Sequence, residues 1–460
     1  MLKKLIIITA VIFITAVYFY LAIQHSLLVN TRFTSDDGSD PGDQRVQIKI
    51  IKRMHEENFS YLGDRVRTPL YSALQAVFYQ NKISDDQLFN QGKLINIILS
   101  LFLIFVIYFA TSKYLTQFSN IVFILITGLA LFLPKAAYLQ PELLYYTLSF
   151  IAFIFFIKTI KNPGIRNALA SGVFAAIAYL TKASMFLGFS IFVVYLSFLA
   201  IVYLFKFSTP KPKDSTKNGK VVNNYVCSFV ITLLVFITVL SPYLIQNKKL
   251  YGKYFFNYVS EVYMWYDSFN EATKDTKTNN PDKIILLQAK DELPSLTKYL
   301  QGHDLNQIIS RTIYGAGFDF FLLFSTYAAL PSLIMLFYLI FMPYIFISSS
   351  SLNKKNLIKM LKENLSVVVF LFVYFSLNAM AIFFYEAIGG GPRFILSLYI
   401  PLIFVIFYIM DKLYLLESKN PTSKINFTLL SLLHMLTLVI LLVGLKISII
   451  PVIYGAWAGF

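Results

Sequence analysis

Four places in a strongly apolar chain have polar residues whose types and spacing suit catalysis or ligand binding. They are the acidic cluster Asp36, Asp37, Asp40 and Asp43, then Glu142, then Lys182, and then Glu386 and Arg393 at the two ends of the run EAIGGGPR. Carboxylates accept protons and hydrogen bonds from hydroxyl groups, whereas lysine and arginine bind phosphate. Together the four places predict a site that combines proton removal with the binding of a phosphorylated ligand.

Each acidic feature has a chemical and a structural interpretation. A carboxylate fixed at a helix start can remove a proton from a hydroxyl that arrives from water, but aspartates also cap helices in solvated turns. Glu142 follows Pro141 at the start of an apolar block, where the helix dipole alone would favour an acid. The residues by themselves leave both interpretations open.

The two basic features are equally open. Lys182 lies between two apolar blocks, where it could hold a phosphate near the lipid headgroups or extend its ammonium group to water. Arg393 follows three glycines in EAIGGGPR; glycines allow close backbone approach, and the guanidinium offers a bidentate contact to an anion. The alternative is a flexible turn that contains one arginine.

The composition indicates which elements must position these residues. The chain has 460 residues, of which 57% are hydrophobic and 14% charged, whereas soluble domains have about 25% charged residues. The mean hydropathy is +0.64. The apolar residues form about eleven blocks of the length that a helix needs to cross a bilayer, and residues 99–109 show no period-two alternation. We therefore predict an all-α polytopic membrane protein with about 11 transmembrane helices.

The predicted spans are residues 5–23, 94–110, 118–133, 143–157, 167–180, 185–205, 221–245, 318–347, 367–385, 394–410 and 425–445. The eighth is too long for one straight crossing and too short for two. Asp319 and Pro331 within it predict a turn on the membrane surface that runs into a span.

The formal net charge of +16 is explained by topology. If the N-terminus is cytoplasmic, the cytoplasmic segments hold 18 basic and four acidic residues and so carry +14 of this charge, as expected because basic residues are retained on the cytoplasmic side. The excess charge therefore indicates orientation, and a nucleic-acid partner is excluded. The first apolar block, after Lys3 and Lys4, is predicted to be an uncleaved anchor.

The same orientation divides the chain into three parts. An N-terminal transmembrane module, residues 1–245, includes a first external loop, 24–93; an extracytoplasmic loop covers 246–317, and a C-terminal transmembrane module covers 318–460. Two amphipathic helices on the outer membrane surface are predicted in the first loop. Their apolar faces are Val46, Ile50, Ile51 and Met54, and then Leu70, Tyr71, Leu74, Val77 and Phe78. Ser84 and Gln87 predict a capping box before the second span.

The four places resemble, in order and topology, the GT-C superfamily of membrane glycosyltransferases, in particular the protein mannosyltransferases and aminoarabinose transferases. The matching segments are Gly42-Asp43-Gln44, residues 58–71, Gln140-Pro141-Glu142, residues 172–182, residues 241–252 and Gly391-Pro392-Arg393-Phe394. The chain departs from the family pattern at Gln44, where a second acid is frequent, at Gln246, where arginine is usual, and at Phe394, where tyrosine is usual. The first departure leaves open whether the general base is Asp43 or one of the pair Asp36 and Asp37.

The resemblance implies an activity and a set of roles. A sugar would pass from a polyprenyl-phosphate donor to an acceptor hydroxyl on a glycan, lipid or protein, with inversion and with Asp43 as general base. The residues implied to bind the donor phosphate or sugar are Lys182, Arg393, Glu142, Asn247 and Glu386. No cofactor is certain, and a divalent metal at Asp36, Asp37 or Asp43 is left open. The active site would lie on the extracytoplasmic face of the plasma or inner membrane.

Two other functions remain as alternatives. A polysaccharide polymerase or ligase of another family predicts arginine-rich external loops, but residues 246–317 contain one arginine, Arg311. A transporter or flippase of lipid-linked glycans predicts polar residues in the middle of the membrane, whereas the charges here lie at the ends of the apolar blocks.

Overall fold

The fold is that of an all-α polytopic membrane protein, as predicted. The computed structural model describes residues 2–28, 42–81, 83–208, 215–272, 292–348, 351–389, 391–417 and 424–448. These residues form helices joined by turns, with no strand among them. Asp36, Asp37 and Asp40, with the roles predicted for them, lie outside the described residues.

The described residues up to Tyr251 form ten α-helices. They are α1 (Leu2–Leu28), α2 (Gly42–Glu56), α3 (Pro69–Ala76), α4 (Asp85–Thr111), α5 (Gln117–Leu125), α6 (Leu133–Ala136), α7 (Glu142–Lys161), α8 (Ile165–Thr181), α9 (Met185–Ser208) and α10 (Ser215–Tyr251). A π-helical segment, Ile126–Phe132, joins α5 to α6, so the three form one apolar stretch, Gln117–Ala136.

The second half of the described chain contributes eight more. They are α11 (Tyr258–Glu261), α12 (Leu296–Gly302), α13 (Leu305–Ser325), α14 (Ala329–Ser348), α15 (Ser351–Glu363), α16 (Leu365–Glu386), α17 (Tyr399–Glu417) and α18 (Lys424–Ser448). Within the described residues, eight helical stretches are long and apolar enough to cross a membrane, and four shorter apolar helices accompany them.

Helical residues cover the predicted spans, with one change of connection. The predicted span 318–347 is not one helix, because α13 ends at Ser325 and α14 begins at Ala329. Thr326 at the break has an extended backbone. Pro331 lies in the first turn of α14, where the missing amide hydrogen costs no helical hydrogen bond.

The segment predicted to be the first external loop contains the two predicted helices among its described residues. In α2, Ile50, Ile51 and Met54 are buried as predicted. The face predicted for α3 is only partly right, because Val77 and Phe78 follow the helix end and are more than half exposed. The capping box that starts α4 is confirmed, with Gln87 N donating to Ser84 Oγ and Ser84 N to Gln87 Oε1.

The core of the bundle surrounds α7. Its side chains Tyr146, Phe150, Phe153 and Phe156 are fully buried, and it packs on α8 and α4. Helix α8 in turn packs closely on α10, because a Cβ at Gly172 would lie 2.8 Å from the Thr232 carbonyl oxygen. Small residues at such crossings let membrane helices approach and gain van der Waals contact. The N-terminus of α7 is thereby held rigidly at one end of the bundle.

Helix α13 packs on the C-terminal end of α16. Arg311 Nε donates to the Phe384 carbonyl at 3.2 Å, and Gly315 faces the Phe383 carbonyl. Asp319, completely buried, is close enough to Glu386 for an electrostatic interaction. Residues along α13 therefore interact with the last turn of α16. Where a surface turn was predicted around Asp319, the structure has a helix, α13, that packs on this end of α16.

Replacing Gly315 with alanine should destabilise this contact. A Cβ at Gly315 would lie 1.8 Å from the backbone oxygen of Phe383, so α13 or α16 would have to move, at a cost of about 1–3 kcal/mol. Gly317 is the matched control, because nothing lies within 4 Å of its Cβ position; there alanine should be neutral or raise stability by up to about 1 kcal/mol. Thermal unfolding in detergent measures both. Equal melting temperatures for the two variants would contradict this contact.

A buried polar network joins four helices at the other end of the bundle. Asp411 accepts from the Thr116 backbone at 2.6 Å and from Ser119 Oγ at 2.6 Å. Ser119 Oγ also meets His434 Nε2 at 3.0 Å, and Tyr338 Oη meets His434 Nδ1 at 2.9 Å. The network fixes the start of α5 against α14, α17 and α18. It lies about 30 Å of helix away from the end of α6.

Candidate functional site

Glu142 is the centre of a charged cluster at the N-terminus of α7. It is the first residue of that helix and is 2% exposed. Its Oε1 lies 3.3 Å from Lys182 Nζ and 3.8 Å from Arg393 Nη1. A buried carboxylate requires such partners, because an unpaired charge is costly away from water. The structure therefore brings together three of the residues that the sequence predicted.

Lys182 reaches the cluster from the end of α8. The helix ends at Thr181, and Lys182 follows with an extended backbone. Its Nζ lies 4.3 Å from the centre of the Phe394 ring, a cation–π distance. The side chain is 16% exposed, so the ammonium group is partly desolvated but remains accessible.

Arg393 is positioned by the turn between α16 and α17. Glu386 Oε1 accepts from the Gly391 amide at 2.7 Å, and Tyr146 Oη donates to the Arg393 carbonyl at 2.7 Å. Gly389 and Gly391 have φ of 92° and 76°, which only glycine adopts without strain. Glu386 thus shapes the turn, and Arg393, 30% exposed, is the most accessible of the three clustered side chains.

Lys135 is a third base at this end that the sequence interpretation missed. Its Nζ lies 4.2 Å from the centre of the Tyr327 ring and 5.2 Å from that of Tyr138. Tyr327 in turn interacts electrostatically with Glu142 and Arg393. The signal was a lone cation at the end of an apolar block, Leu133-Pro134-Lys135, the same signal that identified Lys182.

Tyr327 adds a hydroxyl between α13 and α14. Partial burial, followed by the neighbouring Glu142 carboxylate, raises the pKa of Tyr327 above its ordinary value. The hydroxyl therefore stays protonated at neutral pH and can donate a hydrogen bond. A donor beside two bases suits an anionic ligand.

The start of α2 lies beside the loop that leads into Glu142. Asp43 is in the first turn of α2. The next residue, Gln44, accepts a hydrogen bond at its Oε1 from the Leu139 amide at 2.9 Å. Asn96 holds the same loop, because its Nδ2 donates to the Tyr138 carbonyl at 2.8 Å. Gln44, the neighbour of Asp43, is thus held beside Leu139, and the role of Asp43 as the base stays a prediction.

Asn247 has a different environment from the cluster. Its Nδ2 donates to the carbonyls of Tyr254 and Phe256 at 3.3 and 3.1 Å, which holds the chain as it leaves α10. Among the contacts of the described residues, none joins Asn247 to Glu142, Lys182 or Arg393. Its predicted binding role is untested by this geometry.

The two segments that were predicted to be external pack against each other as one substructure. Tyr258 N donates to the Arg65 carbonyl at 2.8 Å, and Asn257 Nδ2 donates to the Val66 carbonyl at 2.8 Å. Arg311 ties this substructure to α16, because it also donates to the carbonyls of Met264 and Tyr266. The aromatic ring of Phe269 lies against Gly389. The substructure therefore touches the turn that presents Arg393.

A metal site is not evident in the part of the chain that the structure describes. No group of three or more histidine, cysteine, aspartate or glutamate residues is placed to hold an ion there. A divalent metal at Asp36, Asp37 or Asp43 stays a prediction, because Asp36 and Asp37 lie outside that part of the chain.

Comparisons with known proteins give a distant likeness to a solved structure. No family model matches the chain, and no curated protein matches it. Among solved structures, the chain is similar to the archaeal oligosaccharyltransferase AglB from Archaeoglobus fulgidus, in complex with an inhibitory peptide and a dolichol-phosphate. The two are 11% identical with a TM-score of 0.46, and the match covers 97% of this chain and 56% of AglB. The chain thus spans about half the length of AglB, and so distant a likeness assigns no activity.

Proposed function

We propose that this protein is an integral membrane glycosyltransferase that moves a sugar from a polyprenyl-phosphate donor to an acceptor hydroxyl on the extracytoplasmic face. The observation that supports this most is the convergence of Lys182 and Arg393 on Glu142. These residues come from the ends of three different elements at one end of the bundle, where the headgroup of a lipid-linked substrate would lie.

The charge of the cluster suits the phosphate of such a donor. Glu142 offsets one of the two cations, which leaves a net charge of +1 before Lys135 is counted. A sugar phosphodiester carries one negative charge, whereas the polyprenyl phosphate that leaves is a monoester with a charge of about −1.5 to −2 at pH 7. Cations held in place beforehand stabilise the charge that develops in the transition state.

The chemical step is a single displacement. The acceptor oxygen forms a bond to the anomeric carbon, the bond from that carbon to the phosphate oxygen breaks, and its electron pair stays on the phosphate. The acceptor proton passes to Asp43, which lies at the start of α2. One displacement inverts the anomeric configuration. No acid is required, because the leaving group is already a phosphate.

Glu142 has a positioning role in this proposal. Its Oε1 accepts a hydrogen bond from Lys182 and lies near Arg393, so it fixes where both cations point. The resemblance of residues 140–142 to the family motif also suggests that Glu142 contacts hydroxyl groups of the sugar or acceptor. The external substructure, which touches the turn before Arg393, is placed to contribute to acceptor choice.

The test is reconstitution with chemically defined donors. Purified protein in proteoliposomes is supplied with polyprenyl-phosphate sugars labelled in the sugar and with glycan, lipid and peptide acceptors. The expected result is labelled acceptor together with free polyprenyl phosphate. Movement of intact donor across the bilayer without release of carrier would support a transporter instead, and turnover only with polyprenyl diphosphates would support a polymerase or ligase.

A further inference from the structure

Helix α15 has two faces of opposite character. Lys355, Lys359 and Lys362 are spaced by four and three residues and so share one face. Leu357 and Leu361 lie on the opposite face, and Leu357 is buried. A short helix of this kind is typical of one that lies in the interface of a membrane.

The apolar face borders a groove between three helices. A cavity of about 250 Å³ is lined only by Met342, Pro343, Leu357, Leu361, Ile409 and Leu413, from α14, α15 and α17. Ile409 and Leu413 flank Asp411, which binds Thr116 at the start of α5. The groove is therefore at the opposite end of the bundle from Glu142, and it is independent of the proposed glycosyl transfer.

The basic face of α15 is exposed and forms an open surface made by Lys355, Ile358, Lys359, Lys362 and Glu363. Among the described residues, no ion pair is formed by any of these three lysines, so with Glu363 included the surface carries a net charge of +2. Ile358, 43% exposed, places an apolar side chain among the ammonium groups.

We propose that α15 is a binding site for an anionic phospholipid of the adjacent leaflet. The three lysines would contact the phosphate headgroup, and the apolar part of the lipid would begin at Ile358, the exposed apolar side chain among them. A ligand that is anionic at one end and apolar beyond it matches lysines that alternate with an exposed isoleucine, whereas a soluble anion matches only the lysines. The topology predicted from the basic residues makes this the cytoplasmic leaflet.

The test compares lipid retention by two triple variants in nanodiscs. Wild-type protein is placed in phosphatidylcholine nanodiscs with and without phosphatidylglycerol, and the bound lipid is quantified by mass spectrometry after mild delipidation. The variant Lys355→Gln, Lys359→Gln, Lys362→Gln removes the site. The matched control, Lys113→Gln, Lys161→Gln, Arg166→Gln, removes three exposed bases near the ends of α4, α7 and α8.

The wild type and the control should retain phosphatidylglycerol selectively, and the α15 variant should lose this selectivity. Each lysine near a membrane surface strengthens binding of anionic lipid roughly fivefold, so the single variant Lys359→Gln should show a partial loss. Equal loss in both triple variants would overturn the proposal in favour of diffuse surface charge. Full competition by inorganic phosphate would overturn it in favour of a soluble anion.

Discussion

Replacing Lys182 with alanine is expected to reduce sugar transfer by about 10²–10³-fold, the usual cost of removing one group that stabilises developing charge. Lys182 Nζ is paired with the buried carboxylate of Glu142 and is the cation that the cluster holds most firmly. Without it, the charge that grows on the phosphate loses one of its two direct cationic partners. The rate of release of polyprenyl phosphate from proteoliposomes measures the loss.

The Lys182→Ala substitution also disturbs folding, and a second variant separates the two effects. Removing one partner of a buried ion pair costs up to about 3–5 kcal/mol, and the cost here should be at the lower end because Arg393 remains near Glu142. The double variant Glu142→Gln, Lys182→Ala removes both charges and should regain most of the melting temperature. It should not regain transfer. A double variant that recovers stability and activity together would show that the ion pair is only structural.

Replacing Asp43 with asparagine is expected to lower the turnover number by about 10²–10⁴-fold, the range of general-base contributions. The amide has nearly the same size but cannot accept the acceptor proton. Donor binding should change little, because the phosphate is held by Lys182 and Arg393 in this account. Steady-state kinetics with varied donor should therefore show a fall in kcat with a nearly constant KM.

Three matched aspartate variants make the assignment of the base specific. Asp86→Asn changes an exposed acid in the first turn of another helix, α4, and should leave activity intact. Asp36→Asn and Asp37→Asn test the acids that the sequence leaves as alternatives. The base belongs to this pair if the turnover number falls by about 10²–10⁴-fold in Asp36→Asn or Asp37→Asn while Asp43→Asn stays active.

The helices of the fold could be predicted from hydropathy, whereas the packing of one of them could not. Apolar composition and length set where a helix is stable in a membrane, and this was enough for α4, α7 and α16. The same signal in α13 does not show that this helix packs on the last turn of α16. That packing depends on Gly315 and Arg311, whose contacts are made with residues about 70 positions further along the chain.

The site was predictable as a set of separate residues but not as a cluster. Glu142, Lys182 and Arg393 each stood out as an ionisable group at the end of an apolar block. Glu142 pairs with Lys182, 40 residues away, and with Arg393, more than 200 residues away. Sequence spacing does not predict contacts over such separations. Lys135 carried the same signal and was passed over. The connection between Asn257 and Val66, which unites the external segments, depends on a backbone carbonyl and leaves no sequence signal.

The most direct test of the central claim is a structure of the protein with a polyprenyl phosphate bound. The account predicts density for the phosphate within about 3 Å of Lys182 Nζ and the Arg393 guanidinium, with the carboxylate of Asp43 facing the side from which an acceptor would enter. A phosphate bound at the opposite end of the bundle, or at this end but away from both cations, would contradict it.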